Sequence, residues 1–265
     1  ESKENIIINK KLTETSNELK KISDKLQTAN QELIKKDKQK DEFLDTVTHE
    51  LRTPITAIRA ASEILHDDDE VPSEMKRKFL QNIISESDRL SRLIDKILDL
   101  EKFESGKQKV NLSENYFTET IQSVVSSLKQ LMTNKNISLE MDSEQEIRMI
   151  YDNERIVQVL HNLFSNAIKF CNENGKMKVK TVQKNDAVEF SIFNEGKNIS
   201  EEDLTAIFDK FYQSTNQNIK KPIGSGLGLA ITKQIIEAHK GKIWAENNTN
   251  GVTFYFTLPN QNRDE

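Results

Sequence analysis

Three short strings in this chain combine residue types that act on phosphoryl groups. The first is His49-Glu50-Leu51-Arg52-Thr53-Pro54. In a helix His49 and Thr53 stand one turn apart on the same face, with Glu50 adjacent to the histidine but rotated by about 100°. Pro54 has no N–H and its ring displaces the Glu50 carbonyl, which predicts a bend just after the histidine. An exposed imidazole beside a carboxylate suits a phosphoryl acceptor, because a base that takes or shares one ring proton leaves the other nitrogen's lone pair free to attack phosphorus. A lone helical histidine is ordinarily a surface or core residue; its neighbours single this one out.

The second string is Asn162-Leu163-Phe164-Ser165-Asn166-Ala167-Ile168-Lys169-Phe170. Asn162 and Asn166 share a helix face with Lys169 close by, so that two amide oxygens and an ammonium can converge on Mg2+ and phosphate oxygens. Asparagine pairs at this spacing are also common on solvated helix faces, and the string is weak alone. The third is Gly224-Ser225-Gly226-Leu227-Gly228, just before a helical window. Its unobstructed N–H groups and the helix start make an anion cradle. The βαβ setting and later acidic residue of a dinucleotide site are missing, as is a Walker lysine. Upstream, Lys220 and Lys221 lie on a loop over 213–223 that is expected to fold over a nucleotide as a lid, unless they are ordinary solvated charge.

These strings must be positioned by two kinds of structure. No glycine occurs before Gly106, and the other seven of the eight lie from Gly175 onward, so the first ~105 residues read as helix. Leu12, Leu19, Leu26 and Leu33 recur every seven residues, with Ile8, Ile22 and Ala29 on the second seam position, the pattern of a left-handed coiled coil. Thr15 and Lys36 interrupt that seam, so the coil is marginal alone and able to change register. A solvated charged helix is the alternative. From Phe43 the apolar residues broaden through Leu44, Val47, Leu51, Ile55, Ile58, Ile64 and Leu65 to one face of a bundle helix. A turn over 66–72, a cap at Ser73 and a stop at Gly106 bound a second helix carrying Phe79, Ile83, Leu90, Leu93, Ile94, Ile97, Leu98 and Phe103. One hairpin buries too little, which predicts that two copies pair as a four-helix bundle.

Beyond Gly106 the two periodicities alternate. Helical windows fall at 113–132, 153–171, 201–208 and 227–239, and strand-like windows at 137–141, 177–182, 188–193, 242–246 and 252–258. Val252, Phe254, Phe256 and Leu258 point one way and Thr253, Tyr255 and Thr257 the other, as in an antiparallel strand with helices on one face. The fold class expected is multidomain: coiled coil and helical hairpin, then an α/β sandwich of about 150 residues.

Composition closes off other classes. A net charge of −5 argues against a generally basic nucleic-acid binder. No apolar run is long enough for a signal core or a membrane span. The single cysteine, Cys171, rules out an intrachain disulfide and a multi-cysteine zinc site, which fits a reducing, cytoplasmic compartment. The first residue is Glu1 rather than Met, as expected of a fragment whose full-length protein carries a membrane anchor upstream.

In this order, the three strings resemble the transmitter core of sensor histidine kinases: a dimerisation and phosphoacceptor bundle followed by a Bergerat-type (GHKL) ATP-binding domain. The resemblance implies a signalling helix at 1–40, the phosphotransfer domain at 41–106, a linker at 107–112, the catalytic domain at 113–260 and a tail at 261–265. It implies His49 as phosphoacceptor, Glu50 as its acid/base partner and Thr53 at the position that orients water for dephosphorylating a partner receiver. Asn166 takes the Mg2+ ligand position, with Asn162, Lys169 and Phe170 beside it. Phe208-Asp209-Lys210-Phe211 resembles the aromatic motif opening the lid, and Gly224, Gly226, Leu227 and Gly228 the glycine motif closing it.

One motif departs. Where the family carries Asp-x-Gly-x-Gly, this chain has Asn194-Glu195-Gly196-Lys197-Asn198, followed by Ile199. Gly196 is retained, while Asn194 replaces the Asp that accepts from the adenine amino group, weakening that contact by about 1 kcal/mol. A carboxylate repels the guanine O6, whereas an amide can turn and donate to it, so Asn194 predicts a relaxed preference for ATP over GTP. Asn198 replaces the second glycine but tolerates left-handed backbone.

The resemblance implies an ATP- and Mg2+-dependent protein-histidine kinase, acting as a homodimer and passing its phosphoryl group to a response-regulator aspartate. The alternatives are a catalytically impaired dimeric signalling scaffold with weak nucleotide binding, and an ATP-driven clamp, against which the His49 string argues.

Overall fold

The computed structural model describes residues 2–67, 71–104, 110–143, 146–184, 186–210, 212 and 226–260. The chain forms two compact units, Glu1–Thr53 and Pro54–Glu265. Helix α1 spans Ser2–Asp67 with Pro54 inside it, so the proline modifies the helix without ending it. In the first unit Leu12, Leu19, Ile22, Leu26 and Leu33 are all exposed, a heptad seam uncovered in a single copy. Among the described residues no helix is long and apolar enough to cross a membrane.

The second unit begins with the rest of α1 and helix α2, Ser73–Glu104. Pro72 rather than Ser73 precedes the helix proper: its carbonyl accepts from the Lys76 N–H (2.9 Å), so Ser73 is the first helical residue and not the cap. The expected stop at Gly106 lies outside the described residues. Ala61, Leu93 and Leu100 are buried, whereas Ile55, Ile64, Leu80, Ile84, Ile94 and Leu98 stay exposed. One copy thus covers only part of the apolar face. α2 also packs on the C-terminal half, where Asp99 Oδ2 accepts from Arg155 Nη1 (3.1 Å) and Gln158 Nε2 (3.2 Å).

That half is a two-layer α/β sandwich. A mixed sheet runs in the order β2 (Ser138–Ser143), β4 (Lys176–Gln183), β5 (Ala187–Glu195), β7 (Gly251–Pro259), β6 (Lys242–Asn248), with β2 and β4 parallel and every other pair antiparallel. Helices α3 (Phe117–Asn134), α4 (Asn153–Phe170) and α6 (Gly228–Ala238) supply the second layer, with a short α5 at Asp203–Ala206. Alternate residues Val188, Phe190 and Ile192 of β5 and Val252, Phe254, Phe256 and Leu258 of β7 are buried, as the period-two pattern requires. Phe117, Tyr151, Phe190 and Phe256 form the aromatic centre, with Phe117 edge-on to the other three.

The 113–132 window is not one helix. Its first four residues are strand β1 (Ser113–Tyr116), paired antiparallel with β3 (Arg148–Tyr151). Both strands are only four residues long, too short to give a clear periodic signal in the sequence. They are set by pairing, including Asn115 Nδ2 to the Tyr151 carbonyl (3.0 Å) and an Arg148–Glu114 ion pair of 2.6 Å.

α4 is fastened at both ends. Asp152 caps its start, accepting from the Arg155 N–H (3.1 Å) and the Asn111 N–H (2.8 Å). The Asp152 N–H donates to Nε2 of His239 (3.1 Å), so the proton of this neutral ring sits on Nδ1, 2.7 Å from the Ile235 carbonyl. At the other end Lys135 Nζ donates to the carbonyls of Ile168 (3.0 Å), Lys169 (2.9 Å) and Cys171 (3.3 Å), a cation on the negative end of the helix.

His239 is 1% exposed, and burial lowers its pKa below the ordinary 6.5, with the Ile235 carbonyl and Asp152 opposing. Because the folded-state value is depressed, this group's stabilisation is complete above about 6.5 and is lost as pH falls through the folded value. Melting temperatures taken between about pH 7.5 and 5 should fall more steeply for wild type than for His239→Gln, which should be about 2 kcal/mol less stable at the upper pH. Identical pH slopes would show that His239 does not titrate against folding.

Candidate active site

His49 lies on an exposed face of α1, with Glu50 half-buried beside it. Among the described residues its imidazole makes no hydrogen bond. One turn on, the Thr53 hydroxyl donates to the His49 carbonyl (3.2 Å), which keeps the threonine over the histidine's backbone. The Glu50 carbonyl has no N–H at residue 54 to accept from, because that residue is Pro54.

In the second unit α4 carries Asn162, Asn166, Lys169 and Phe170. They do not all face one ligand. Asn162 Nδ2 donates to the Thr232 hydroxyl (2.9 Å), which itself donates to the Gly228 carbonyl (2.9 Å). A β-carbon on Gly228 would lie 2.6 Å from Asn162 Oδ1, so a larger residue there would displace the Asn162 amide from its present position. Asn162 therefore holds the helix that follows the glycine motif. Asn166 is half-exposed, and its amide has no partner among the described residues. A carboxamide oxygen is a hard donor of the kind Mg2+ accepts, so this residue fits the ligand position. Lys169 sits with Nζ 4.4 Å from the centre of the Phe170 ring, and burial lowers its pKa. Phe170 is 40% exposed.

At the end of β5, Asn194 is 3% exposed. A β-carbon on Gly196 would lie 2.5 Å from the Phe170 carbonyl and 3.3 Å from Asn194 Nδ2, which brings the end of α4 and this loop into contact. The loop is held from β6: Asn247 accepts from the Ile199 N–H (3.0 Å) and donates to the Ile199 carbonyl (2.6 Å). Asn198 does not use the left-handed backbone region; its side chain instead donates to the Asn248 carbonyl (2.9 Å).

Phe208 is buried and edge-on to Phe254. Tyr212 donates to the Asp203 carboxylate, and that hydrogen bond is the main cause pushing its pKa up to about 12. Past the glycine motif, Gly226 has φ 65°, the left-handed region that favours glycine, and Leu227 is fully buried under the start of α6. Phe211, Gly224, Lys220, Lys221 and the expected lid over 213–223 lie outside the described residues. Sequence reasoning missed Thr232 and Asn247, isolated polar residues in a helix and a strand that belong to no motif.

Among the described residues no cluster of three or more His, Cys, Asp or Glu side chains could hold a metal. Residues 39–106 match the family of the His Kinase A (phospho-acceptor) domain, and residues 151–262 match the Histidine kinase-, DNA gyrase B-, and HSP90-like ATPase family. The chain is 33% identical to the sensor protein KdpD of Clostridium acetobutylicum over 86% of its length, and 30% identical to the sensor histidine kinase WalK of Bacillus subtilis over 87%. It spans only 25% and 38% of those two proteins. Among solved structures, the catalytic domain of histidine kinase ThkA is 37% identical with a TM-score of 0.52, covering 57% of this chain and 96% of that one. ThkA in complex with response regulator protein TrrA is 31% identical with a TM-score of 0.65, covering 84% of this chain and 63% of that one. A phosphoacceptor helix and an ATPase-type sandwich matched in order within one chain, with the ThkA catalytic domain covered almost whole, make this chain a member of the sensor histidine kinase family.

Proposed function

We propose that the chain is an ATP-dependent protein-histidine kinase that works as a homodimer, with its phosphotransfer segment at 41–106 and its catalytic segment at 113–260. The observation that carries this is the exposed imidazole of His49 beside Glu50, without a hydrogen-bond partner among the described residues, on the helix that precedes an ATPase-type domain. A ring nitrogen of His49 attacks the γ-phosphorus of ATP, the bond to the β–γ bridging oxygen breaks, and ADP leaves with that electron pair. Glu50 takes the proton from the other ring nitrogen. Mg2+, when bound, offsets the charge developing on the phosphate oxygens. Asn166 is the residue to hold it, Lys169 pairs with phosphate, and the glycine motif offers its N–H groups.

Phosphoryl transfer from His49 to an aspartate of a response regulator then breaks the N–P bond and forms an acyl phosphate. The ThkA–TrrA complex supports that partner class. Thr53, one turn from His49, is placed to orient the water of a phosphatase reaction. The exposed seams of α1 and α2 support a second copy as the dimer partner, and the lone buried Cys171 suits the cytoplasm.

Incubation with γ-labelled ATP and Mg2+ should give acid-labile protein label, reduced by at least about 100-fold in His49→Gln. Label that survives the substitution would sink the assignment of His49, and no label at millimolar ATP would favour the scaffold reading. Thr232→Val should raise the KM for ATP by about fivefold while leaving kcat within about twofold, as expected when a positioning hydrogen bond is lost. An unchanged KM would show that the Asn162–Thr232 link does not align the glycine motif.

A further inference from the structure

Past Glu195 the chain leaves the sheet. Glu195 opposite Gly251 is the last paired position of β5 and β7, so the backbone of the loop that follows has no strand partner. The end of the β6–β7 hairpin takes it over. The Gly196 N–H donates to the Asn250 carbonyl (2.9 Å), the Asn198 side chain donates to the Asn248 carbonyl (2.9 Å), and Asn247 holds Ile199 at two points. There the Asn247 carboxamide acts as a peptide group would, its Oδ1 accepting from the Ile199 N–H (3.0 Å) while its Nδ2 donates to the Ile199 carbonyl (2.6 Å). Nδ2 also donates to Glu201 Oε1 (3.1 Å), so the amide has one workable orientation: turned over, it would set oxygen against two oxygens and nitrogen against an N–H. The loop so held stands against the end of α4. The Asn172 N–H donates to the Glu195 carbonyl (3.0 Å), and a β-carbon on Gly196 would meet the Phe170 carbonyl at 2.5 Å.

We propose that Asn247 is a positioning residue for nucleotide binding: its amide holds the 196–199 loop in its binding shape before a nucleotide arrives. A loop that must be ordered on binding lowers affinity, and a loop shaped in advance removes that cost. Asn247 acts through Ile199 rather than on the reacting groups, so it governs how tightly nucleotide is held and leaves the chemistry at His49 alone. This rests on the kinase reading and names a determinant of its nucleotide affinity.

Initial rates of labelling of the full chain by γ-labelled ATP, over a range of MgATP concentrations, test it. Asn247→Leu, close in size but unable to bond Ile199, should raise the KM for ATP about tenfold while the rate at saturating ATP stays within about twofold. Asn247→Asp keeps an acceptor for the Ile199 N–H but sets a carboxylate against the Ile199 carbonyl and Glu201, so it should raise KM at least as much. A KM within about twofold of wild type in either variant overturns the inference, as does a saturating rate that falls at unchanged KM, the result that simple loss of folded protein would give. Hydrogen exchange of the wild type decides even if a variant fails to fold. Without nucleotide the Ile199 amide should exchange at least about 100-fold more slowly than in an unfolded peptide, and exchange at the unfolded rate until MgADP is added would overturn the inference. Wild-type protein that takes no label sinks the kinase reading, whereas label with an unshifted KM in Asn247→Leu overturns only this inference.

Discussion

The Asp152 N–H donates to His239, 87 residues later in the chain, and that one buried bond joins the start of α4 to the end of α6. It works only with a neutral ring, because the nitrogen that accepts from Asp152 cannot also carry a proton. Lys135 completes the arrangement from the other side by closing the last carbonyls of α4. Between these anchors Asn162 meets Thr232 and Gly228, so α4 and α6 are aligned along their length rather than at a point. The candidate phosphate ligands on α4 and the glycine motif ahead of α6 inherit their placement from this frame.

The helical hairpin is joined to that frame by charge as well as by packing. Asp99 on α2 accepts from Arg155 and Gln158 on α4, and Arg155 Nη1 also donates to Gln158 Oε1 (2.9 Å). Largely buried pairs of this kind add little net stability, since desolvation offsets the attraction, but they penalise misalignment because a displaced partner leaves a charge uncompensated. Their effect is on register between hairpin and sandwich. The exposed apolar residues of α1 and α2, by contrast, contribute no burial energy within a single copy.

The motifs were readable because each is local. Helix spacing places Thr53 over His49, Gly226 is needed wherever the backbone turns left-handed, and the alternation in β7 marks its buried face without reference to any other strand. The heptad leucines and the long helices are legible for the same reason, as is the family, which rests on the order of those motifs. Element ends and the two four-residue strands were not, since Ser113–Tyr116 becomes a strand only by meeting Arg148–Tyr151.

The amino-acid sequence by itself therefore determined the chemistry on offer, the fold class and most of the elements, because composition and periodicity act over a few residues at a time. Tertiary structure alone decided how those side chains are used. It committed the Asn162 amide to Thr232, 70 positions away, and made His239 a structural acceptor rather than a reactive base. Which donor meets which acceptor across such separations is settled when the layers pack, and no local spacing encodes it.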